Sequence, residues 1–88
     1  MLLSHMAKFN IDLNLVFQAL SDPTRRALLA ALGKGAVPVS ELAEPTGLAL
    51  PTVLRHLGVL EAAGLIVSQK QGRVRTCQLR PETLDGAV

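Results

Sequence analysis

Residues 40–64 constrain the fold of this 88-residue chain more than any other stretch. A first short helical pattern begins at Ser40 and ends at Thr46-Gly47, and a second begins near Pro51. Ser40 is a predicted N-cap, because its side-chain oxygen can accept from the free N–H groups of a first turn. Gly47 suits the left-handed residue that ends a helix. The stretch therefore predicts two helices joined by a tight turn.

The second helix of this pair has one apolar side and one polar side. Val53, Leu57 and Leu60 recur at i, i+4 and i+7, which predicts a side that faces the core, whereas Thr52 and Arg55 project away from it. A helix pair whose second helix begins with an outward polar side is typical of the helix-turn-helix that places a helix in a DNA major groove. Plain structural hairpins share this pattern, so both interpretations stay open here.

Two further helices are predicted before the pair. Residues 10–20 carry apolar side chains at helical spacing on more than one side, which either cover the core or contact a second copy of the chain. Asp22 and Pro23 predict the start of the next helix. Arg25 and Arg26 lie in its first turn, where the helix dipole disfavours cations, so we expect a carboxylate or phosphate partner, with a salt bridge favoured.

A small β-hairpin is predicted after the pair. Residues 65–67 and 74–79 are β-type runs on either side of a turn at Gly72, and Pro38 limits an earlier extended piece to a sheet edge. The four charged residues between positions 62 and 80 are all basic: Lys70, Arg73, Arg75 and Arg80. A basic stripe beside a helix pair is expected of phosphate contact, the alternative being a solvated hairpin. The predicted fold is mainly α with a small β-hairpin, a winged helix-turn-helix.

Composition excludes several classes of function. No apolar run reaches the roughly 18 residues of a membrane span, and no secretory signal is recognisable, so we expect a cytoplasmic protein without membrane contact. The single cysteine, Cys77, fits a reducing compartment and a packing role. His5, His56 and Cys77 are too scattered for a metal site, and no nucleophile has a base beside it. We therefore expect no metal, no cofactor and no enzyme activity.

Several segments of the chain together resemble the ArsR family of bacterial winged-helix repressors. The resemblance covers roughly residues 15–79 and is carried by residues 17–26, 41–43, 51–53, 55–57 and 60–66. It implies a homodimer that represses transcription from a pseudo-palindromic operator in double-stranded DNA. It also implies dimerisation through the first and last helices. We expect residues 1–9 to be a flexible segment, in part vector-derived, and residues 10–80 to form the DNA-binding domain. Residues 81–88 only begin a last helix, which is therefore expected to be truncated.

The resemblance also implies which residues contact DNA. A recognition helix at about residues 50–63 would enter the major groove, and the hairpin at residues 65–79 would form the wing. The base-facing set would be Leu50, Thr52, Leu54, Arg55 and His56. The phosphate and wing set would be Ser40, Gln69, Lys70, Gln71, Arg73 and Arg75.

The recognition helix departs from the family pattern. Where the family usually has Ser-Gln-Pro-Thr-Val-Ser, this chain has Ala-Leu-Pro-Thr-Val-Leu at residues 49–54, so Ala49 lacks a capping oxygen. Leu50 and Leu54 can contact a thymine methyl group but cannot read hydrogen-bond patterns, which leaves Arg55 to read guanine or to clamp a phosphate. Their apolar flank also suits the alternative function, a winged-helix protein-interaction module.

Metal sensors of the family carry Cys-x-Cys before the helix pair, or His and Asp/Glu sets on the terminal helices. Neither set is present in this sequence. The resemblance is therefore to a metal-independent branch of the family.

Overall fold

The computed structural model describes residues 12–81 and contains four α-helices and three strands within them. The predicted segment 1–9, the start of the first helix at residues 10–11 and the last helix beyond residue 81 lie outside the described residues. In chain order the elements are α1 (Leu13–Leu20), α2 (Pro23–Ala31), β1 (Val37–Pro38), α3 (Val39–Ala43), a 3-10 turn (Glu44–Thr46), α4 (Leu50–Ala62), β2 (Ile66–Gln71) and β3 (Val74–Leu79). This is the predicted winged helix-turn-helix, mainly α with a small hairpin.

Aspartate side chains begin the first two described helices. Asp12 accepts hydrogen bonds from the backbone N–H groups of Asn14 and Leu15, at 3.0 and 3.3 Å. Asp22 accepts from the backbone N–H of Arg25 at 3.0 Å, with Pro23 in the first helical position. Each carboxylate satisfies donors that have no partner within the helix and lies at the positive end of its dipole. The predicted start of α2 is confirmed.

The start of the helix-turn-helix differs from the prediction. α3 begins at Val39 with Pro38 as its N-cap, so Ser40 lies inside the first turn and makes no capping hydrogen bond. The reason is that β1 runs directly into α3: Pro38 ends the strand and is also the N-cap, so Ser40 is already the second helical residue. Gly47 adopts the predicted left-handed conformation, with φ of 68°. The Thr46 hydroxyl donates to the carbonyl of Ala43 at 2.6 Å and accepts from the N–H of Leu48, which closes the turn.

The three strands form an antiparallel sheet in the order β1-β3-β2. β3 is the central strand: Cys77 pairs with Val37 on one side and with Ser68 on the other. Pro38 lies on the edge strand, as predicted, where its missing N–H breaks no ladder. Gly72 turns the hairpin with φ of 61°, a conformation that glycine adopts without steric cost.

One aliphatic core joins the helices to the sheet. The predicted stripe of Val53, Leu57 and Leu60 on α4 is buried at its centre. The other buried core residues are Ala19, Leu28, Leu32, Val39, Leu42, Ala63, Ile66 and Cys77. The core therefore holds α4 against both the preceding helices and the hairpin. Within residues 12–81, none of the helices has the length and apolar character that crossing a bilayer requires.

Candidate nucleic-acid interface

The side of α4 opposite the core is open to solvent. Successive side chains of a helix are rotated by about 100°. Burial of Val53 and Leu57 therefore turns Arg55 outward and leaves Leu50 and Leu54 on the flank that faces the hairpin. Arg55, Leu50 and Leu54 are exposed, and Thr52 is half-buried on the other flank. As the sequence predicted, α4 begins at Ala49 without a side-chain cap.

A groove separates the start of α4 from the first residues of β3. It has a volume of about 340 Å³ and is lined by Pro38, Val39, Ser40, Leu50, Leu54, Arg73, Val74 and Arg75. The fold thus brings two of the predicted base-facing residues, Leu50 and Leu54, together with three of the predicted phosphate-contacting residues, Ser40, Arg73 and Arg75. We call this surface the helix–wing groove.

The wing concentrates positive charge. Gln69, Lys70, Gln71, Arg73 and Arg75 are all exposed, and residues 66–79 contain no acidic side chain. The strand register places Lys70 directly opposite Arg75. Like charges that face each other across a strand pair destabilise a hairpin. A bound anion would remove this repulsion, which makes the wing a suitable contact for phosphate.

His56 does not join the predicted base-facing set. Its Nδ1 lies 3.2 Å from Nη1 of Arg25 and 4.0 Å from Oδ2 of Asp22, and its side chain is only 18% exposed. The guanidinium donates, so Nδ1 accepts and the imidazole proton is on Nε2. The helical rotation that turns Arg55 outward turns His56 towards α2. In this structure His56 therefore makes a contact between helices, and its base contact stays a prediction.

Arg25 and Arg26 bind backbone carbonyls instead of the expected carboxylate. Arg25 donates through Nε to the carbonyl of Ala19 at 2.8 Å and through Nη2 to that of Gln18 at 2.9 Å. Arg26 donates through Nη1 to the carbonyl of Leu20 at 2.7 Å. The last carbonyls of α1 have no partner within their own helix and form the negative end of its dipole. The two cations of α2 therefore cap the end of α1.

The carboxylate of Asp22 belongs to the same cluster. The hydrogen bond from the backbone N–H of Arg25 lowers its pKa below the ordinary value of 3.8, and the positive charge of the Arg25 side chain acts in the same direction. Asp22 thus remains ionised at the junction of α1, α2 and α4. This cluster holds α4 against α1 and α2, on a different side of α4 from the exposed Arg55.

Cys77 is buried on β3 and is 1% exposed. Desolvation raises the pKa of its thiol, and the negative charge of Glu61 raises it further. Within residues 12–81 no three His, Cys, Asp or Glu side chains converge on a point that could hold a metal ion. The metal independence that the sequence suggested stays a prediction.

Three residues that line the groove, Pro38, Val39 and Val74, were not among the predicted site residues, and Val74 is the one that lies on the wing. Neighbouring side chains of a strand point to opposite faces, yet Arg73, Val74 and Arg75 all line the groove, because β3 starts at the tip of the hairpin. The sequence did contain a signal for this position: Val74 is an apolar residue between Arg73 and Arg75, directly after the turn at Gly72.

Comparisons with known proteins agree with this architecture. A family model described as a helix-turn-helix domain matches residues 20–69. The transcriptional repressor SdpR of Bacillus subtilis is 32% identical over 76 residues, which cover 86% of this chain and 84% of that protein. The HTH-type transcriptional regulator Rv2034 of Mycobacterium tuberculosis is 41% identical over 68 residues. That match covers 77% of this chain and 64% of Rv2034, so the chain spans less than two thirds of that regulator.

Solved structures show the same fold. The crystal structure of an ArsR family transcriptional regulator, RHA00566, is 51% identical, has a TM-score of 0.77 and is matched over 85% of this chain and 77% of its own. The solution structure of a homodimeric winged helix-turn-helix domain from Mycobacterium bovis is 25% identical, with a TM-score of 0.71, over 94% of this chain and 70% of its own. The chain belongs to the ArsR family of winged helix-turn-helix transcriptional regulators.

Proposed function

We propose that this chain is the DNA-binding domain of a dimeric, metal-independent transcriptional repressor that acts in the cytoplasm on double-stranded DNA. The observation that carries the proposal is the helix–wing groove: the exposed start of α4 and the basic hairpin form one continuous surface. A major groove admits one α-helix, and a cationic hairpin beside that helix can follow the flanking backbone. The role is one of binding, without catalysis.

Each exposed residue of this surface has a proposed role. Arg55 would bind guanine O6 and N7 through two hydrogen bonds, and Thr52 and the two leucines of the groove would contact neighbouring bases. Phosphate contacts would come from the other exposed polar residues, which are Ser40, Gln69, Lys70, Gln71, Arg73 and Arg75. Lys70 and Arg75 support this assignment most directly, because their cross-strand repulsion is relieved when phosphate binds.

The dimer is supported by α1 and by a relative. Phe17 and Leu15 are both exposed on α1 in the protomer. Large apolar side chains on one helix are suited to a contact between two copies of a chain. The related domain from Mycobacterium bovis is a homodimer, and SdpR is named as a repressor. A symmetric dimer would bind two half-sites, which makes a pseudo-palindromic operator the expected target.

The alternative function, a protein-interaction module, uses the same apolar flank of Leu50 and Leu54. Two observations favour DNA over a protein partner. The rim of the groove carries Arg73 and Arg75, and the relatives that match most of this chain are transcriptional regulators. The leucines are therefore better explained as part of a DNA-binding surface.

Selection of bound fragments from the source genome, followed by measurement of affinity against salt concentration, tests the proposal. We expect recovery of a pseudo-palindromic sequence and a linear fall of log affinity with log salt, by about 0.9 per phosphate contacted. Equal affinity for the selected duplex and a scrambled duplex, or no binding at low salt, would contradict the proposal.

Two substitutions separate the proposed roles. Arg73→Ala should weaken binding to selected and scrambled duplexes alike and reduce the salt slope by about one per protomer. Arg55→Ala should weaken binding to the selected duplex more than binding to the scrambled one, and the difference in binding free energy should be roughly 1–3 kcal/mol per half-site. Lys34→Ala is the matched control, because this exposed lysine precedes β1 and does not line the groove. The Lys34→Ala variant should leave unchanged both the salt slope and the difference in affinity between the selected and scrambled duplexes.

A further inference from the structure

We propose that the helix–wing groove recognises the C5-methyl group of thymine, and that Leu54, Leu50 and Val74 are specificity-determining residues for this contact. The inference rests on the proposed function and deepens it, because it names the chemical group that the apolar part of the surface reads.

The three apolar side chains surround one opening. Leu50 is 50% exposed, Leu54 is 37% exposed and Val74 is 52% exposed, and all three line the same groove. Leu50 and Leu54 come from α4, and Val74 faces them from the wing. Exposed apolar side chains that cluster in one groove mark a candidate contact surface. The partner must therefore present an apolar group between the helix and the wing.

The charges on the rim identify the partner as DNA. Arg73 and Arg75 flank Val74, and residues 66–79 carry no acidic group. A partner that fits this groove carries negative charge for Arg73 and Arg75 and an apolar group for Val74 between them. Among the base edges of the major groove, only thymine presents an apolar group, its C5-methyl. Leucine forms no hydrogen bonds, so it favours this methyl over the polar edges of other bases.

Arg55 and the leucines would then read different features of one half-site. Arg55 projects from the outermost side of α4, whereas Leu54 lies on the flank towards the wing. A guanine contact by Arg55 would therefore be accompanied by a thymine on the side of the half-site nearer the wing. The same groove would accept 5-methylcytosine, since its methyl group is attached to the same ring position.

Replacement of thymine by deoxyuridine in the selected operator tests the inference with the unaltered protein. Deoxyuridine lacks only the methyl group and keeps the hydrogen-bonding edge. At the position read by the groove we expect affinity to fall about fourfold in one half-site, the effect of one buried methyl group, and about fifteenfold in both. At the same position, 5-methylcytosine should bind more tightly than cytosine by a similar factor.

A variant protein links the effect to the groove. Leu54→Ala should reduce the difference in affinity between thymine and deoxyuridine operators, and replacing Leu50, Leu54 and Val74 together by alanine should abolish it, while Leu48→Ala should keep the full difference. Leu48 is a matched control because it is 39% exposed but does not line the groove. Circular dichroism would verify that all three variants are folded.

The possible results are distinct. If the selected operator binds and no thymine position responds to deoxyuridine, the methyl contact is wrong and the proposed function stands. If the full response persists when Leu50, Leu54 and Val74 are all replaced by alanine, another surface reads the methyl group, which also overturns the inference. Absence of any sequence-selective binding would refute the proposed function itself.

Discussion

Nη1 of Arg25 lies 3.2 Å from Nδ1 of His56 and thereby joins two residues that are 31 positions apart in the chain. The same guanidinium donates to the carbonyls of Gln18 and Ala19 at the end of α1. One side chain therefore connects α1, α2 and the recognition helix α4. The planar arrangement of five N–H donors makes arginine suited to such a junction.

Arg25→Lys should destabilise the fold. A lysine ammonium cannot reach two carbonyls and an imidazole in the fixed geometry of the guanidinium, so we expect a loss of about 1–2 kcal/mol in the free energy of unfolding. Urea denaturation followed by circular dichroism measures this change. Arg26→Lys is the control: Arg26 makes one exposed hydrogen bond, which lysine can replace, so its loss should stay below about 0.5 kcal/mol. Equal losses for the two variants would contradict the proposed junction.

Asp22 should make stability depend on pH in the acid range. The pKa of its carboxyl is lower in the folded chain than the ordinary 3.8, chiefly because of the hydrogen bond from the backbone N–H of Arg25. Its contribution is therefore present above the ordinary value and is lost as the pH falls through the lowered one.

Asp22→Asn isolates this contribution, because asparagine also caps helices but carries no charge. Urea unfolding of both proteins between about pH 5 and pH 2 should show the stability advantage of the wild type shrinking as the pH falls. A difference that stays constant over this range would contradict the assignment.

Phe17→Glu should weaken the proposed dimer. Phe17 is 66% exposed in the protomer, and a twofold contact would remove two copies of the ring from water. We expect the dissociation constant of the dimer to rise at least about tenfold, as measured by analytical ultracentrifugation. Leu48→Glu places the same charge on an exposed leucine outside α1 and should leave the dimer unchanged. If only the Leu48 variant dissociates, α1 is not the contact.

Cys77 should react with thiol reagents only after the protein unfolds. The thiolate is the reactive form, and burial both blocks access to the Cys77 thiol and raises its pKa. Labelling with a chromogenic disulfide should therefore be slow in buffer and fast in urea. Rapid labelling of the folded protein, at the rate of a free thiol, would instead support a redox role for Cys77.

Local patterns in the sequence predicted much of this fold correctly. The spacing of Val53, Leu57 and Leu60 identified the buried side of α4, because helical periodicity is a property of the local sequence. Pro38 and Gly72 identified a sheet edge and a turn because their backbone constraints are intrinsic.

The errors came from interactions that link distant parts of the chain. Ser40 is a good capping residue, but β1 pairs with β3 and α3 follows it directly, so the N-cap is Pro38, two positions earlier. The resemblance assigned His56 to the base-facing set, and it could not show the contact of His56 with Arg25 on another helix. Arg25 was expected to need a carboxylate because the carbonyls at the end of α1 reach it only in the folded chain. No local pattern contains these contacts.

Pro38 is the last residue of β1, and Val39, its neighbour, is the first residue of α3. No linker separates β1 from the helix-turn-helix whose second helix carries Arg55, and β1 is paired with β3 of the wing, so backbone pairing fixes the distance between the wing and this helix pair. An operator whose groove width or curvature does not match this separation must bend or twist to fit. The elastic cost of that deformation varies with base sequence, so base pairs that no side chain touches should also influence which sites are occupied.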